Sequence, residues 1–346
     1  MPGGLAVIDS LPGGPKAAAI AQVPPPNTIE RVTEELDVKT IDAGVLTLGY
    51  LEDGPLDGWP VVLAHGFPYD VHAFDQVVPL LTIHGARTFR PYLRGFGPTR
   101  FLSAGTPRSG QQAALGSDLV ALLGALRLQA PILAGYDWGG LASCVATALW
   151  PERVAGLISL ASYDIIDIKR QKHAQDPAME YVLWYQHLFQ TDRGRECLAR
   201  YRRELCRMLW QQWSPGWHVD EATFERTAES FGNPDFVDVV THAYRHAFGR
   251  AAGNPAYEDL EKRLARRPKI IVPAVTLDGA NDPLKPGGTA GQAGMFTARH
   301  EHRVIDAGHN LPPQRSARAS TICPYQAALP GLLVVKRRYV AAYGPK

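Results

Sequence analysis

Two kinds of hydrophobic pattern alternate along the first half of the chain. Short apolar runs such as Pro60–Ala64 and Pro131–Ala134 are typical of strands buried on both faces. Longer stretches such as Ser109–Leu126 carry apolar residues at helical spacing. Strands that alternate with helices predict a mostly parallel sheet flanked by helices. The same patterns predict the hairpin strands Glu35–Ile41 and Val45–Leu51, the helices His72–Leu81 and Leu141–Trp150, and the strands Arg87–Tyr92 and Val154–Ala161.

The alternation of strands and helices stops in the second half of the chain and then resumes. Residues 163–267 show only helical patterns, rich in Trp, Tyr, Arg and Glu, and strands return at Ile270–Asp278 and His302–Ile305. This order predicts one α/β domain, formed by residues 29–162 and 268–346, with a helical lid inserted before the last strands. A lid of this kind closes over a site at the carboxyl ends of the strands.

Composition and charge exclude several classes of partner. The chain has 346 residues, of which 45% are hydrophobic and 20% charged, so it can bury a large core. Its formal net charge of +2 gives no reason to expect nucleic acid or an anionic membrane as a partner. No apolar run approaches the roughly 18 residues that a membrane span needs.

The amino-terminal segment and the cysteines bear on localisation. Residues 1–28 are rich in Gly, Ala and Pro and lack the basic start and apolar core of a signal peptide, so we expect a flexible lead. The four cysteines are scattered, without metal-ligand or disulfide spacing. We therefore expect a cytoplasmic protein that binds no metal.

One strand-to-helix turn carries the candidate nucleophile. Gly135–Tyr136–Asp137–Trp138–Gly139 has the pattern Gly-x-Asp-x-Gly, where Gly-x-Ser-x-Gly would be the nucleophile elbow of an α/β-hydrolase. A carboxylate, with a reference pKa of about 3.9, is ionised at neutral pH without help from a base. It can displace a leaving group at saturated carbon and form an ester on Asp137. The alternative is a turn aspartate that only caps the next helix.

Two further residues complete a candidate triad. Asp282 and His309 follow the last two predicted strands, so nucleophile, acid and base occur in the chain order of α/β-hydrolases. His309 would activate water to hydrolyse the ester, and Asp282 would orient its imidazole. Asp278 and Asp306 lie close by in sequence and remain alternatives to Asp282.

Hydrolysis of an ester requires an oxyanion hole and a pocket. The backbone N–H groups of Phe67 and Trp138 are the candidate donors, because one lies in the loop after the His-Gly strand and the other follows the nucleophile. We expect His65 to shape that loop. Together with Trp184, these three residues predict an apolar substrate pocket.

Three motifs resemble one branch of a known family. His65–Gly66–Phe67–Pro68, Gly135–Gly140 and Gly308–His309–Asn310 are similar to the epoxide hydrolase branch of the α/β-hydrolases, over about Glu30 to Asn310. The haloalkane and haloacetate dehalogenases are close relatives with the same aspartate. The resemblance implies a two-step covalent mechanism without cofactor or metal, a small apolar epoxide as substrate, and a vicinal diol as product.

The leaving group separates the branches. Resemblance to epoxide hydrolases implies two lid tyrosines that protonate the epoxide oxygen, and Tyr185 and Tyr244 match the local pattern. The haloalkane dehalogenase pattern has, beside the elbow Trp, either an Asn after the His-Gly, where this chain has Phe67, or a second lid Trp. Haloacetate dehalogenases have arginines just after the nucleophile, where this chain has Trp138 and Gly139–Gly140. Both departures favour an epoxide. A dehalogenase with the same triad is the first alternative, and a non-catalytic ligand-binding protein of this fold is the second.

The segment after His309 departs from the family. The resemblance implies a regular helix there, whereas prolines interrupt the sequence from Pro312 to Pro330 and only Leu332–Tyr343 could form a short helix. A poorly packed tail would misplace His309 and weaken hydrolysis.

Overall fold

Nine strands form one sheet in the computed structural model, which describes residues 37–160 and 163–313. The strands are β1 (Lys39–Ala43), β2 (Leu46–Asp53), β3 (Trp59–Ala64), β4 (Ala86–Pro91), β5 (Arg100–Phe101), β6 (Ile132–Tyr136), β7 (Gly156–Leu160), β8 (Ala274–Gly279) and β9 (His300–Ile305). Their order is β1-β2-β4-β3-β6-β7-β8-β9, with β5 beside β2. Pairing is parallel from β4 to β9 and antiparallel at β1, β2 and β5. The flexible lead predicted at 1–28 and the tail after residue 313 lie outside the described residues.

The helices fall into two groups. The first group is α1 (Val78–Thr82), α2 (Gln112–Ala125) and α3 (Trp138–Leu149). The second group is α4 (Pro177–Val182), α5 (Trp184–Leu188), α6 (Asp192–Arg200), α7 (Arg202–Trp213), α8 (Glu221–Ala228), α9 (Phe236–Ala247) and α10 (Glu258–Leu264). All of the second group lie between β7 and β8, at the predicted position of the lid. Within the described ranges, no helix is long and apolar enough to cross a membrane.

The central strands form the core of the sheet. Every residue of β3, β6 and β7 is buried, as expected of parallel strands covered on both faces. Helix α3 packs against β6 and β7, and α2 packs against α3. Gly116 permits this helix contact, because a Cβ atom there would overlap the Val145 side chain. The predicted mostly parallel sheet flanked by helices is therefore confirmed.

Among the predicted elements, one helix is broken and one strand begins later than expected. The helix expected over His72–Leu81 is broken into a 3₁₀ turn, Val71–Phe74, and α1. Asp70 caps the start of the 3₁₀ turn, where its side chain accepts a hydrogen bond from the His72 backbone N–H. Pro79 lies in the first turn of α1, a position that favours the start of a new helix. The strand expected from Ile270 begins only at Ala274, since Pro273 just before it has no N–H to donate.

Helix α7 connects the inserted helices to two loops of the sheet domain. Trp210 donates its indole N–H to the Pro68 carbonyl at 2.9 Å and stacks on Tyr69, with ring centroids 4.7 Å apart. At the end of α7, Trp213 accepts a hydrogen bond from the His309 backbone N–H at 2.9 Å. The loop that follows β3 and the loop that follows β9 are thus held by the same helix.

Candidate active site

Asp137 occupies a sharp turn between β6 and α3. Its backbone has φ 51° and ψ −126°, a conformation that is costly for a residue with a side chain. Two flanking glycines permit the turn: a Cβ atom on Gly139 would overlap the Ala64 carbonyl, and one on Gly135 would overlap the backbone of Gly139. The Gly-x-Asp-x-Gly pattern therefore has a steric cause. The turn that it permits places Asp137 directly after the end of β6.

The two oxygens of the Asp137 carboxylate have different surroundings. Oδ1 accepts hydrogen bonds from the backbone N–H groups of Phe67 and Trp138, each at 2.7 Å. Oδ2 lies 3.4 Å from Nε2 of His309. Oδ1 is therefore held by two donors, whereas Oδ2 faces the imidazole. The amino terminus of α3 also favours a negative charge here.

His309 lies between two carboxylates. Its Nδ1 is 2.9 Å from Oδ2 of Asp282, whose other oxygen accepts the backbone N–H of Leu284 at 2.8 Å. Burial alone would lower the pKa of His309, but the charges of Asp282 and Asp137 outweigh it and raise the pKa to about 10. Burial would raise the pKa of Asp282, and the His309 charge reverses this and lowers it. The resting site thus favours an imidazolium paired with two carboxylates.

The two alternative acids have other partners. Asp278 accepts hydrogen bonds from the backbone N–H and the hydroxyl of Thr289, at 2.5 and 2.6 Å. Asp306 accepts one from the side chain of Asn281 at 2.9 Å. Of the three candidate aspartates, Asp282 is the one that the structure brings to His309.

Tyr185 and Tyr244 come together from different helices of the insertion. Their rings meet edge to face, with centroids 5.5 Å apart, and both side chains are buried. The side-chain amide of Gln186 donates a hydrogen bond to the Tyr185 hydroxyl at 2.9 Å. Burial raises the pKa of both tyrosines above the ordinary value of 10. Both phenols therefore stay protonated at neutral pH.

A cavity of about 670 Å³ connects these groups. Its inner wall includes the candidate nucleophile, base and tyrosines with one indole: Asp137, Trp138, Tyr185, Tyr244 and His309. Its other walls carry many polar side chains, among them Asp164, Arg170, Gln171, His173 and Lys285. The prediction of an apolar pocket is therefore wrong, since charged and amide side chains line the cavity together with the apolar ones.

Of the four predicted pocket residues, only Trp138 lines this cavity. His65 is fully buried behind it, where Nε2 accepts the Leu93 backbone N–H at 3.1 Å and Nδ1 contacts the Gly66 carbonyl at 2.9 Å. Burial lowers the pKa of His65 to about 4, so the ring is neutral. His65 thus contacts the loop that carries Phe67 but lies too deep to touch a ligand in the cavity.

The other two pocket predictions fail for different reasons. The Phe67 ring is packed into an aromatic cluster, stacked on Trp138 at 5.5 Å and edge to face with Tyr244 at 5.6 Å, so it offers the site its backbone N–H. Trp184 points away and donates its indole N–H to Gln212 at 2.9 Å.

An ion pair in the cavity wall was missed by the sequence reasoning. Asp164 and Lys285 both line the cavity, and Nζ of Lys285 lies 3.2 Å from Oδ1 of Asp164. Burial raises the pKa of Asp164 to about 6 despite the charge of Lys285. The sequence offered one indication of this pair, namely that both residues follow strands of the sheet. Asp164 lies just after β7, and Lys285 lies three residues after Asp282. The described residues contain no cluster of three or more His, Cys, Asp or Glu side chains that could hold a metal ion.

The family of this chain is shown by a family model that matches most of the sheet, the inserted helices and the candidate site. The family model described as the alpha/beta hydrolase fold matches residues 60–315, from β3 to beyond His309. The chain belongs to the α/β-hydrolase family. The predicted resemblance to that superfamily is therefore confirmed.

Individual relatives of this α/β-hydrolase include two activities. A solved structure from Klebsiella pneumoniae named "putative epoxide hydrolase" is 38% identical, with a TM-score of 0.81 over 87% of this chain and 97% of that one. A haloalkane dehalogenase from Mycolicibacterium paratuberculosis is 34% identical over 37% of this chain and 42% of its own length. Epoxide hydrolase 2 from Siraitia grosvenorii is 30% identical over 37% of this chain and 39% of its own. The match thus spans about two fifths of these curated relatives.

Proposed function

We propose that this α/β-hydrolase is an epoxide hydrolase that opens an epoxide to a vicinal diol. The observation that carries the proposal is the pair of buried tyrosines, Tyr185 and Tyr244, in the same cavity as the Asp137 carboxylate. Burial raises the pKa of both phenols, which favours their protonated form. An epoxide leaves as an alkoxide and needs a proton donor, which a phenol can supply. The similarity to epoxide hydrolases supports the same conclusion.

In the first step Oδ2 of Asp137 attacks a ring carbon of the epoxide. The bond between that carbon and the ring oxygen breaks, and the electron pair remains on the oxygen. Tyr185 or Tyr244 gives this oxygen its proton, so the product is a hydroxyalkyl ester on Asp137. Oδ2 suits this role because Oδ1 is already engaged by two N–H groups.

In the second step water attacks the carbonyl carbon of the ester. Formation of the ester removes the charge of Asp137, which is one of the causes that raise the pKa of His309. His309 therefore loses its proton more readily in the ester, and it can then accept one from water through Nε2. The N–H groups of Phe67 and Trp138 stabilise the oxyanion on Oδ1. Collapse of the intermediate gives this proton to the departing alkoxide, which releases the diol. The carboxylic acid left on Asp137 returns a proton to His309, and the proton that His309 lost in the ester restores the tyrosine hydroxyl.

Trapping of the ester tests this mechanism. We expect His309→Gln, incubated with styrene oxide, to accumulate one covalent adduct that intact mass spectrometry detects and peptide mapping assigns to Asp137. Because the variant retains the nucleophile but lacks the base, the first step proceeds and the second does not. His300→Gln is the matched control and should accumulate no adduct, since His300 lies on β9 beside Thr276 and away from the cavity. Absence of any adduct with a panel of epoxides and haloalkanes would favour the non-catalytic alternative.

A haloalkane dehalogenase is the second candidate function. The similarity to haloalkane dehalogenases at 34% identity favours it, and the same triad would hydrolyse the same type of ester. Trp138 lines the cavity and carries an indole N–H of the kind that binds halide. Release of bromide from 1-bromobutane at a rate above that of epoxide opening would support this candidate over the first.

A further inference from the structure

The mechanism above uses neither member of the Asp164–Lys285 pair, although both line the cavity that holds Asp137 and His309. The pair comes from two strand ends: Asp164 follows β7, and Lys285 lies in the turn after β8 that also carries Asp282. Its position at the carboxyl edge of the sheet places a fixed cation beside the candidate reaction centre.

The hydrogen-bonding capacity of this pair is only partly used. An ammonium group has three N–H donors. In the described part of the chain, the one side-chain contact recorded for Nζ of Lys285 is that with Oδ1 of Asp164 at 3.2 Å. The side chain of Lys285 is 35% exposed, and that of Asp164 is 10% exposed. Lys285 therefore presents unused donors to the cavity, while Asp164 holds the ammonium group in place.

The charges around Lys285 indicate which acceptor it would bind. Three carboxylates, those of Asp164, Asp282 and Asp137, act on its ammonium group. The cations among these groups are Lys285 itself and protonated His309, so the cluster carries one net negative charge. An anionic substrate group would meet this excess of carboxylates. A neutral oxygen, such as an ether or hydroxyl, can accept a hydrogen bond from Nζ without that repulsion.

We propose that Lys285 determines specificity by donating a hydrogen bond to a neutral ether or hydroxyl oxygen of the substrate, and that Asp164 is its positioning residue. This inference rests on the proposed function, because the oxygen must belong to a molecule whose epoxide ring reaches Asp137. It assigns the preferred substrate class as epoxides with an oxygen substituent near the ring, over purely hydrocarbon epoxides of the same shape.

Isosteric substrates test the assignment. Phenyl glycidyl ether and 2-(2-phenylethyl)oxirane differ in one oxygen, as do 2-(2-phenoxyethyl)oxirane and 2-(3-phenylpropyl)oxirane. In at least one pair we expect the ratio of kcat/KM, ether over hydrocarbon, to fall about tenfold in Lys285→Met, as loss of a hydrogen bond from a charged donor predicts. Comparison of ratios cancels the intrinsic effect of the oxygen on ring opening. Unchanged ratios in both pairs would overturn the proposal.

Matched variants separate this effect from a structural one. Lys262→Met removes a lysine of an exposed ion pair with Glu258 and should leave both ratios unchanged. The double variant Asp164→Asn with Lys285→Met leaves no unpaired buried carboxylate, and it should show the same fall even if the single variant folds poorly. A carboxylated epoxide that loses more than the ethers in Lys285→Met would also overturn the proposal, because it would identify an anion site.

A binding experiment keeps this test independent of the proposed function. Phenyl propyl ether and butylbenzene are isosteric and do not react. If the wild type opens no epoxide, the proposed function fails, but we still expect the ether to bind more tightly than butylbenzene in calorimetric titration and to lose that advantage in Lys285→Met. Equal affinities in both proteins would overturn the role of Lys285 alone.

Discussion

The sheet domain and the helical insertion contribute to the candidate site in different ways. Asp137, Asp282 and His309 follow β6, β8 and β9, and strands of a parallel sheet end at the same edge. Strand order alone brings these three side chains together. Tyr185 and Tyr244 lie on α5 and α9, which meet only through the packing of the insertion. The candidate triad is therefore brought together by topology, whereas the proposed proton donors depend on tertiary packing of helices.

This difference assigns a separate step to each region. Under the proposed function, the sheet domain would carry the residues for attack and hydrolysis, which epoxide hydrolases and dehalogenases would share. Under the proposed function, the insertion would carry the donors that protonate an alkoxide. Substitutions in the two regions should therefore have separable kinetic effects, and the predictions below test that separation.

Asp282→Asn tests the sheet side and has the largest expected effect. The amide cannot stabilise the imidazolium, so we expect overall diol formation to fall by about 10⁴-fold, the size seen when a triad aspartate becomes Asn. Alkylation of Asp137 should continue, and the ester should accumulate in rapid-quench mass spectrometry.

Asp278→Asn and Asp306→Asn are the matched controls for this substitution. Their carboxylates bind Thr289 and Asn281, respectively, so we expect less than about threefold change in diol formation. A 10⁴-fold loss in either control, with little loss in Asp282→Asn, would assign the acid elsewhere.

The double variant Tyr185→Phe with Tyr244→Phe tests the insertion. Removal of both proton donors should lower the rate of ester formation from an epoxide by about 10³-fold, within the usual range for general acid catalysis. Each single variant should lose less, because the other phenol remains. Single-turnover kinetics followed by intact mass measures this step directly.

The leaving group provides the control for the tyrosines. A halide leaves without a proton, so any bromide release from 1-bromobutane should survive the double substitution. If epoxide opening survives as well, the insertion does not supply the acid, and the assignment of the two steps to two regions is wrong.

The contrast between strand topology and helix packing also explains what could be predicted from the sequence. The motif around Asp137, the chain order of Asp282 and His309, and the position of the insertion all depend on strands whose patterns are visible locally. The choice among three aspartates was not visible, because it depends on the turn that directs Asp282 toward His309 while Asp278 binds Thr289.

Side-chain direction and remote pairing account for most of the errors. Trp184 was expected in the pocket, but its indole points to Gln212, a contact 28 residues away. The Asp164–Lys285 pair joins positions 121 residues apart, and neither residue belongs to a recognisable motif. A sequence pattern gives the face of an element, whereas contacts of this kind depend on the packing of separate elements.

The pH dependence of stability tests the charges on the sheet side. The pKa of His309 is raised from its ordinary value of 6.5 to about 10 in the folded protein. Protonated His309 therefore contributes its full stabilisation to the folded protein below pH 6.5, and this contribution is lost as the pH rises toward 10. We expect the free energy of unfolding in urea to fall between pH 7 and 9.5, and to fall less in Asp282→Asn. An unfolded tyrosine titrates only near pH 10. The buried thiols of Cys144 and Cys206, whose pKa burial raises, also lower the free energy of unfolding in this window, but equally in the two proteins, so the difference between the slopes reports on His309. If the free energy of unfolding fell equally with pH in the wild type and in Asp282→Asn, the charged pair of His309 with Asp282 would be contradicted.

Ser214→Ala tests the connection between the regions and has the smallest expected effect. Ser214, directly after α7, accepts a hydrogen bond from the Asn310 backbone N–H at 3.0 Å, next to His309. Ser230→Ala is the matched control, because Ser230 also joins the insertion to a core loop, by a 2.7 Å hydrogen bond to Asp70. Each substitution should lower the free energy of unfolding by about 1 kcal/mol. Only Ser214→Ala should slow ester hydrolysis, by a factor of about three, because the Ser214 hydrogen bond holds the loop that carries His309 and the Ser230 hydrogen bond does not. If both variants slow hydrolysis equally, the effect comes from general loosening of the insertion and not from placement of the base.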